Sequence, residues 1–293
     1  MVDVRIPNRN NIGQKHSSSL YSIKRFFRIR SAVLGIIVLF IWLIIMVTPG
    51  SFTDYDPLKR AARPRLPPNS ENYFGTDNLG RDVYTRVLYG SRTSIFLGLI
   101  SVSFGLLVGT SLGLFAGYFS GLDSVIMRLV DTLMALPSIL LAMVIIAAIG
   151  PSIQNVMIAV GIASIPLFTR VVRGRVLTIR KQDYIDAAKV LGCGSLRIIS
   201  RHIFPNIMSI VIVIATVQIG TAILAGSSLS FLGMGAQPPT PEWGLMTAEG
   251  RDYMSIQWWI STFPGLAILT LVMAFNLTGD GLRIIWDPRM RID

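Results

Sequence analysis

Six stretches of this chain are each about as long and as apolar as a helix must be to cross ~30 Å of hydrocarbon, which takes roughly 20 residues. They run over about 31–48, 94–119, 127–149, 153–172, 207–224 and 258–277. The fold class predicted from them is an all-α membrane protein with six transmembrane helices. Composition agrees, and it excludes the alternatives. Of 293 residues, 52% are hydrophobic and 15% charged, against about 25% charged in soluble domains, and the mean hydropathy is +0.58. Two soluble domains of ordinary size would need more charge to keep their surfaces solvated, and a disordered chain would be poorer in apolar residues. The first stretch follows a long basic leader, and no small-x-small cleavage site comes after it. It reads as a retained anchor rather than a signal peptide.

The net charge of +11 suits nucleic acid or a membrane topology, and its distribution decides between them. With a cytoplasmic N-terminus, six spans place the C-terminus there too. Of 27 Lys and Arg, 19 then fall inside: seven in residues 1–30, Arg128, eight in 170–206 and three in 283–293. The outer side carries the other eight, seven of them in 49–93. Acidic residues divide equally between the sides, so the inner side holds the whole net charge, as the positive-inside pattern requires. The first outer loop is nevertheless richer in arginine than that pattern prefers. No nucleic-acid partner is expected. A single cysteine, Cys193, and two distant histidines, His16 and His202, give no disulfide and no metal site.

The domain organisation is then a cytoplasmic segment 1–30, a first span 31–48, an extracytoplasmic loop 49–93, a core 94–280 holding five spans and an inner loop 173–206, and a tail 281–293. Within the inner loop, Asp183 to Val190 reads as a short helix capped by Asp183 and stopped by a left-handed Gly192. A second helix is expected from Leu196 to Phe204, ended by Pro205. Two helices around a glycine turn also describe a DNA-binding motif, but a loop tied between two spans leaves little room for one; a plain solvated connector is the simpler alternative.

Asp186-Ala187-Ala188, three residues, Gly192, nine residues and then His202-Ile203-Phe204-Pro205 resembles the EAA loop of ABC-importer permeases. Asp186 stands where that family has Glu, and His202 and Phe204 stand for its Ile and Leu. The resemblance implies a coupling loop, with Tyr184, Asp186, Ala187, Ala188, Gly192, His202 and Pro205, that docks on an ATPase subunit. It narrows further. Phe74 to Asp82, Ser230 to Gly244, Ala274 to Arg283 and the late Asp287-Pro288 are similar to the second permease subunit of dipeptide, oligopeptide and nickel importers. The implied fold is that of a type I ABC-importer permease in the bacterial or archaeal inner membrane. The implied partners are a homologous permease, two ATPase subunits that bind ATP and Mg, an extracytoplasmic solute-binding protein and the bilayer. No cofactor is expected in this chain itself. Glutathione-like peptides, nickel and metal chelates remain alternative solutes.

Ser101, Gly105, Gly109, Gly113 and Gly117 recur at four-residue spacing, a small face on which another helix can pack closely. Spacing alone leaves open whether that helix belongs to this subunit or the next. Asp131 and Asp280 lie near span ends, where ion pairs with Arg128 and Arg283 three residues away are expected. Pro137 and Pro166 are expected to kink their spans. The Pro238, Pro239, Pro241 and Trp243 segment is expected to contact the binding protein or to close the outer gate, with a loop packed on its own subunit as the alternative. No glycine precedes any lysine, so there is no Walker-type phosphate loop, and no protease or hydrolase motif occurs. An intramembrane enzyme lacks its reactive cluster, and an ion-coupled secondary transporter lacks its mid-span charges and repeated halves.

Overall fold

The computed structural model describes residues 29–286. Most of the N-terminal segment and the tail with Asp287-Pro288 lie outside them. Among the described residues the regular structure is helical, apart from one isolated bridge between Thr76 and Asp82. Ten α-helices occur in this order: α1 Arg30–Val47, α2 Val83–Tyr118, α3 Ser120–Leu133, α4 Ser138–Ile149, α5 Ile153–Ile179, α6 Asp183–Val190, α7 Ser195–Ile198, α8 Phe204–Phe231, α9 Trp243–Gly250 and α10 Trp259–Trp286.

Five spans, one of them α7 and α8 taken together, are long and apolar enough to cross a membrane, and α3 with α4 makes a sixth crossing when counted as one. That third span departs from the single helix expected over 127–149. It breaks between Leu133 and Ser138 and turns by 85°. Pro137 stands at the break and leads directly into α4, since proline supplies no N–H to continue the ladder. Pro166, by contrast, sits inside α5 without interrupting it.

The second span starts eleven residues earlier than hydropathy suggested, at Val83 rather than Ser94. Its first three turns carry Arg86 and Arg92, which mask the helix from any hydropathy window. Asp82 caps it by accepting from the Thr85 N–H at 2.7 Å. Arg92 reaches across to α1, donating to the carbonyls of Met46 at 2.7 Å and Val47 at 3.0 Å, which the end of α1 leaves without helical partners.

The glycine ladder settles its own question. Its partner is α5 of the same chain. A Cβ added at Gly109 would lie 2.7 Å from both the Ile165 carbonyl oxygen and Phe168 Cβ; one at Gly113 would lie 2.7 Å from the Thr169 oxygen and Val172 Cβ. At Gly117 the obstacle is Val176, and at Gly105 it is Ser164. Gly161 returns the favour from α5, facing the Ser101 carbonyl. The two backbones therefore approach as closely as glycine permits, which is how helices gain contact energy in lipid. Leu97, Val102, Val160, Leu229 and Phe168, itself part of this seam, belong to one apolar core.

Candidate functional site: a basic loop at one end and a buried cap at the other

The loop 173–206 forms the basic end of the bundle. α6 begins at Asp183, with Gln182 rather than Asp183 at its N-cap and no side-chain cap bond. It stops as expected: Gly192 has φ +79°, its N–H donates to the Lys189 carbonyl at 2.9 Å, and the Cys193 N–H donates to Ala188 at 3.0 Å. These two bonds make a Schellman motif, whose left-handed residue favours glycine.

The second helix does not end at Pro205. After α7 the chain passes through a π-helical turn, Ile199–Ile203, and runs on into α8 with Pro205 in its first turn. The wider turn relieves the clash a proline ring makes with the preceding turn of an α-helix. The loop is thereby fused to a span rather than hinged from it.

Its two faces differ in chemistry. Ile185, Ala188, Ile198, Ile199, Ile203 and Ile207 are buried with Val172 and Val176 of α5, so the inner face is one apolar core. Asp186 and Ala187 face solvent with Tyr184, and Asp186 is held by Lys189 Nζ at 2.7 Å. At the tip Val190 and Leu191 are 88% and 83% exposed, and Leu196 beside them is exposed too. Of the other residues of the motif, His202 is half-buried and Pro205 exposed.

The opposite, proline-rich end contains what sequence reasoning missed. Arg81 and Arg86 are buried, yet both are ion-paired. Arg81 Nε lies 2.6 Å from Asp77 Oδ2, and its Nη2 lies 3.2 Å from Glu249. Arg86 Nη2 lies 3.4 Å from the same Glu249, and its Nη1 donates to the carbonyls of Pro57 and Pro239. This network ties the 49–93 loop, α2 and α9 together. The arginine excess in that loop was its signal: Arg81, Arg86 and Arg92 are spent on internal partners rather than on topology.

Glu242 has no exposed surface and caps α9, accepting from the N–H groups of Gly244 at 2.9 Å and Leu245 at 2.8 Å. Burial pushes its carboxyl above the ordinary range, against the opposing effect of those two bonds. Trp243, next in sequence, is fully buried. Its indole donates to the Val87 carbonyl at 2.9 Å, lies over Gly90 and meets Trp42 of α1 edge-on at 4.8 Å. Its side chain therefore packs within the subunit. Pro238 and Pro239 are exposed and Pro241 is half-buried.

Two expected ion pairs differ from the structure. Asp131 pairs with Arg170 of α5 at 2.6 Å, not with Arg128. Asp280 and Arg283, both within α10, make no ion pair among the described residues. No group of metal-binding side chains occurs among them either.

Comparisons with known proteins agree with this architecture. The family model described as "Binding-protein-dependent transport system inner membrane component" matches residues 109–292. The chain is 41% identical to a dipeptide transport system permease of Alkalihalophilus pseudofirmus, covering 92% of this chain and 90% of that one. It is 45% identical to a glutathione transport system permease of Pectobacterium atrosepticum over 82% and 78% of the two chains. Inward-facing crystal forms of the MetNI methionine ABC transporter superpose with TM-scores of 0.57 and 0.56 at 16% and 17% identity. They cover 69% of this chain and 97% and 96% of theirs, a likeness of fold. With a helical loop fused to two spans and a family match across it, the chain belongs to the binding-protein-dependent transport system inner membrane components, as a multi-pass permease subunit of a bacterial ABC importer.

Proposed function

We propose that this subunit forms half of a translocation pathway for small peptides, completed by a homologous permease. Two ATPase subunits dock at the basic end and an extracytoplasmic binding protein unloads at the other. Relatives named for dipeptide and glutathione transport support a peptide substrate. Nickel, metal chelates and glutathione-like peptides are the neighbouring alternatives, because selectivity rests largely with the binding protein. The chain contributes no catalytic group and no cofactor site; ATP and Mg belong to the ATPase subunits. The positive-inside distribution supports cytoplasmic termini and a cytoplasmic 173–206 loop.

One observation carries the coupling role. The exposed tip of α6 and α7, with Val190, Leu191 and Leu196, is apolar, while the loop beneath it is a packed core continuous with α5 and α8. Exposed apolar clusters on a rigid base mark protein contacts. Tyr184, Asp186 and Ala187 flank the tip, and Ala188 and Gly192 keep it compact. ATP-driven closure of the ATPase pair would displace α6, and with it the spans on either side. At the other end, exposed Pro238 and Pro239 offer the contact to the binding protein, with Pro241 and Trp243 anchoring them from within.

The test is Leu191→Asp in the assembled transporter. The position is exposed, so the subunit should insert and fold normally. ATPase subunits should no longer copurify, and solute-stimulated ATP hydrolysis should be lost. Normal capture of the ATPase subunits by this variant would overturn the coupling role.

A further inference from the structure

α3 is the most weakly embedded of the longer helices. Of its fourteen residues only Val130 is buried, and Leu122, Val125 and Leu129 are exposed along one stripe. Besides the buried Val130, two ion pairs tie it to α5. Arg173 of α5 grips Asp123 through two parallel bonds, with Nη2 2.6 Å from Oδ2. Arg170, one turn earlier on α5, places Nη2 2.6 Å from Asp131 Oδ1. The aspartates are eight residues apart, so the two pairs fasten both ends of α3, and Asp131 lies just before the 85° bend into α4.

α5 stands at the centre of three connections. One face is locked against α2 by the glycine ladder. Its arginines hold α3. Its C-terminus passes through Arg180, Lys181 and Gln182 directly into α6. Apolar contacts between helices allow sliding, whereas a two-bond Arg–carboxylate pair fixes both distance and direction. Half-exposed pairs of this kind add little to stability, so a role confined to holding the fold would be a poor use of them.

We infer that Asp123–Arg173 and Asp131–Arg170 act as positioning pairs for transport: they transmit displacement of α6, through α5, to α3 on the near side of the 85° bend. This rests on the coupling role of α6 proposed above. Without the pairs, α5 would still follow α6, carrying α4, whose Ala142 and Ile146 share its apolar core, but α3 would lag, and ATP hydrolysis would continue with less solute moved.

The experiment uses the complete transporter in proteoliposomes with its binding protein, carrying Asp123→Asn together with Asp131→Asn. Copurification of the ATPase subunits and solute-stimulated hydrolysis should be retained, while solute moved per ATP falls about tenfold, within the ordinary range of coupling between sites. Reversing both pairs, with Asp123→Arg, Arg173→Asp, Asp131→Arg and Arg170→Asp combined, should restore the ratio. Unchanged solute per ATP in the neutralised variant would overturn the inference, as would loss of hydrolysis and uptake in parallel, or a reversed variant that assembles without recovering the ratio. Should the double variant fail to assemble, Asp131→Asn alone, at a surface-exposed pair, decides on the same ratio. Leu191→Asp tests the coupling role separately: if it captures ATPase subunits normally, that reading fails whatever the ion pairs do.

Discussion

At the proline-rich end, Arg81, Arg86 and Glu242 are buried with partners inside the same chain, whereas at the basic end Val190 and Leu191 project into solvent with none. Each arrangement runs against the usual partition of polar outside and apolar inside, and that makes both informative. The buried charges persist because the chain pairs them itself: two arginines, Asp77 and Glu249 form one network, with Arg86 Nε in it left without a hydrogen bond, 3.6 Å from Asp77 Oδ2, and Glu242 receives two backbone N–H groups. The exposed apolar tip has no such internal partner among the described residues, as the proposed docking role requires. Substitutions at the first end should therefore be felt as stability, and those at the second as lost association.

The largest effect is expected from Arg86→Met. Removing one member of a buried ionic network typically costs about 3–5 kcal/mol, because the remaining charges are left without full compensation. Thermal unfolding of the purified complex should register it as a marked fall in midpoint. A midpoint near the wild type would mean that Arg81 alone satisfies Glu249 and Asp77.

Gly109→Leu comes next. Overpacking a tight contact costs about 1–3 kcal/mol, and here the obstacle includes the backbone carbonyl of Ile165, which cannot yield as a side chain can. Recovery of assembled complex should drop, while Leu112→Ile, off the ladder face, should leave it unchanged. Equal recovery of the two would break the account of the α2–α5 seam.

A smaller, pH-dependent effect should come from Glu242. It lies outside the spanning helices, and its folded pKa is raised by burial. A carboxyl raised on folding contributes stability at low pH, below its unfolded pKa, and loses that contribution as pH rises through the folded value. Glu242→Gln removes the titration and keeps one oxygen acceptor, enough for the Gly244 or the Leu245 N–H but not both, since these donate to separate carboxylate oxygens. Midpoints measured from about pH 5 to 8 should fall with rising pH in the wild type and stay flatter in the variant. Parallel profiles would show that the charge is compensated more fully than its burial implies.

The smallest stability change belongs to Leu191→Asp, within about 0.5 kcal/mol as for other exposed sites, even though its effect on ATPase capture is expected to be complete. A large fall in midpoint would show that the tip is structural and would erase the contrast between the two ends.

Much of this was legible in the residues. The six crossings, the short helix before Gly192 and its left-handed stop, and the small face of α2 all depend on hydropathy, helix propensity or spacing along one segment. Such properties are local, so the amino-acid order alone states them. The arginine-rich first loop was visible as a departure from the positive-inside pattern, but its meaning was not, because Arg81 and Arg86 find Glu249 some 160 residues away.

Three prolines mark where sequence stopped deciding. Pro137 precedes an 85° break, Pro166 lies within an unbroken α5, and Pro205 comes after a π turn that carries the chain on into a span. Each residue removes the same N–H and fixes the same φ. Whether the helix then breaks or continues depends on how well neighbouring helices can hold the chain straight around the missing bond. Pro166 is buried in the bundle, whereas α3 and α4 beside Pro137 are largely uncovered. In the same way, Asp131 chose Arg170 over Arg128. The sequence by itself determined the apolar stretches of the spans, the short helix before Gly192 and the small face of α2. Only the tertiary structure decided where those helices bend and which charges meet, because both depend on contacts between segments far apart along the chain.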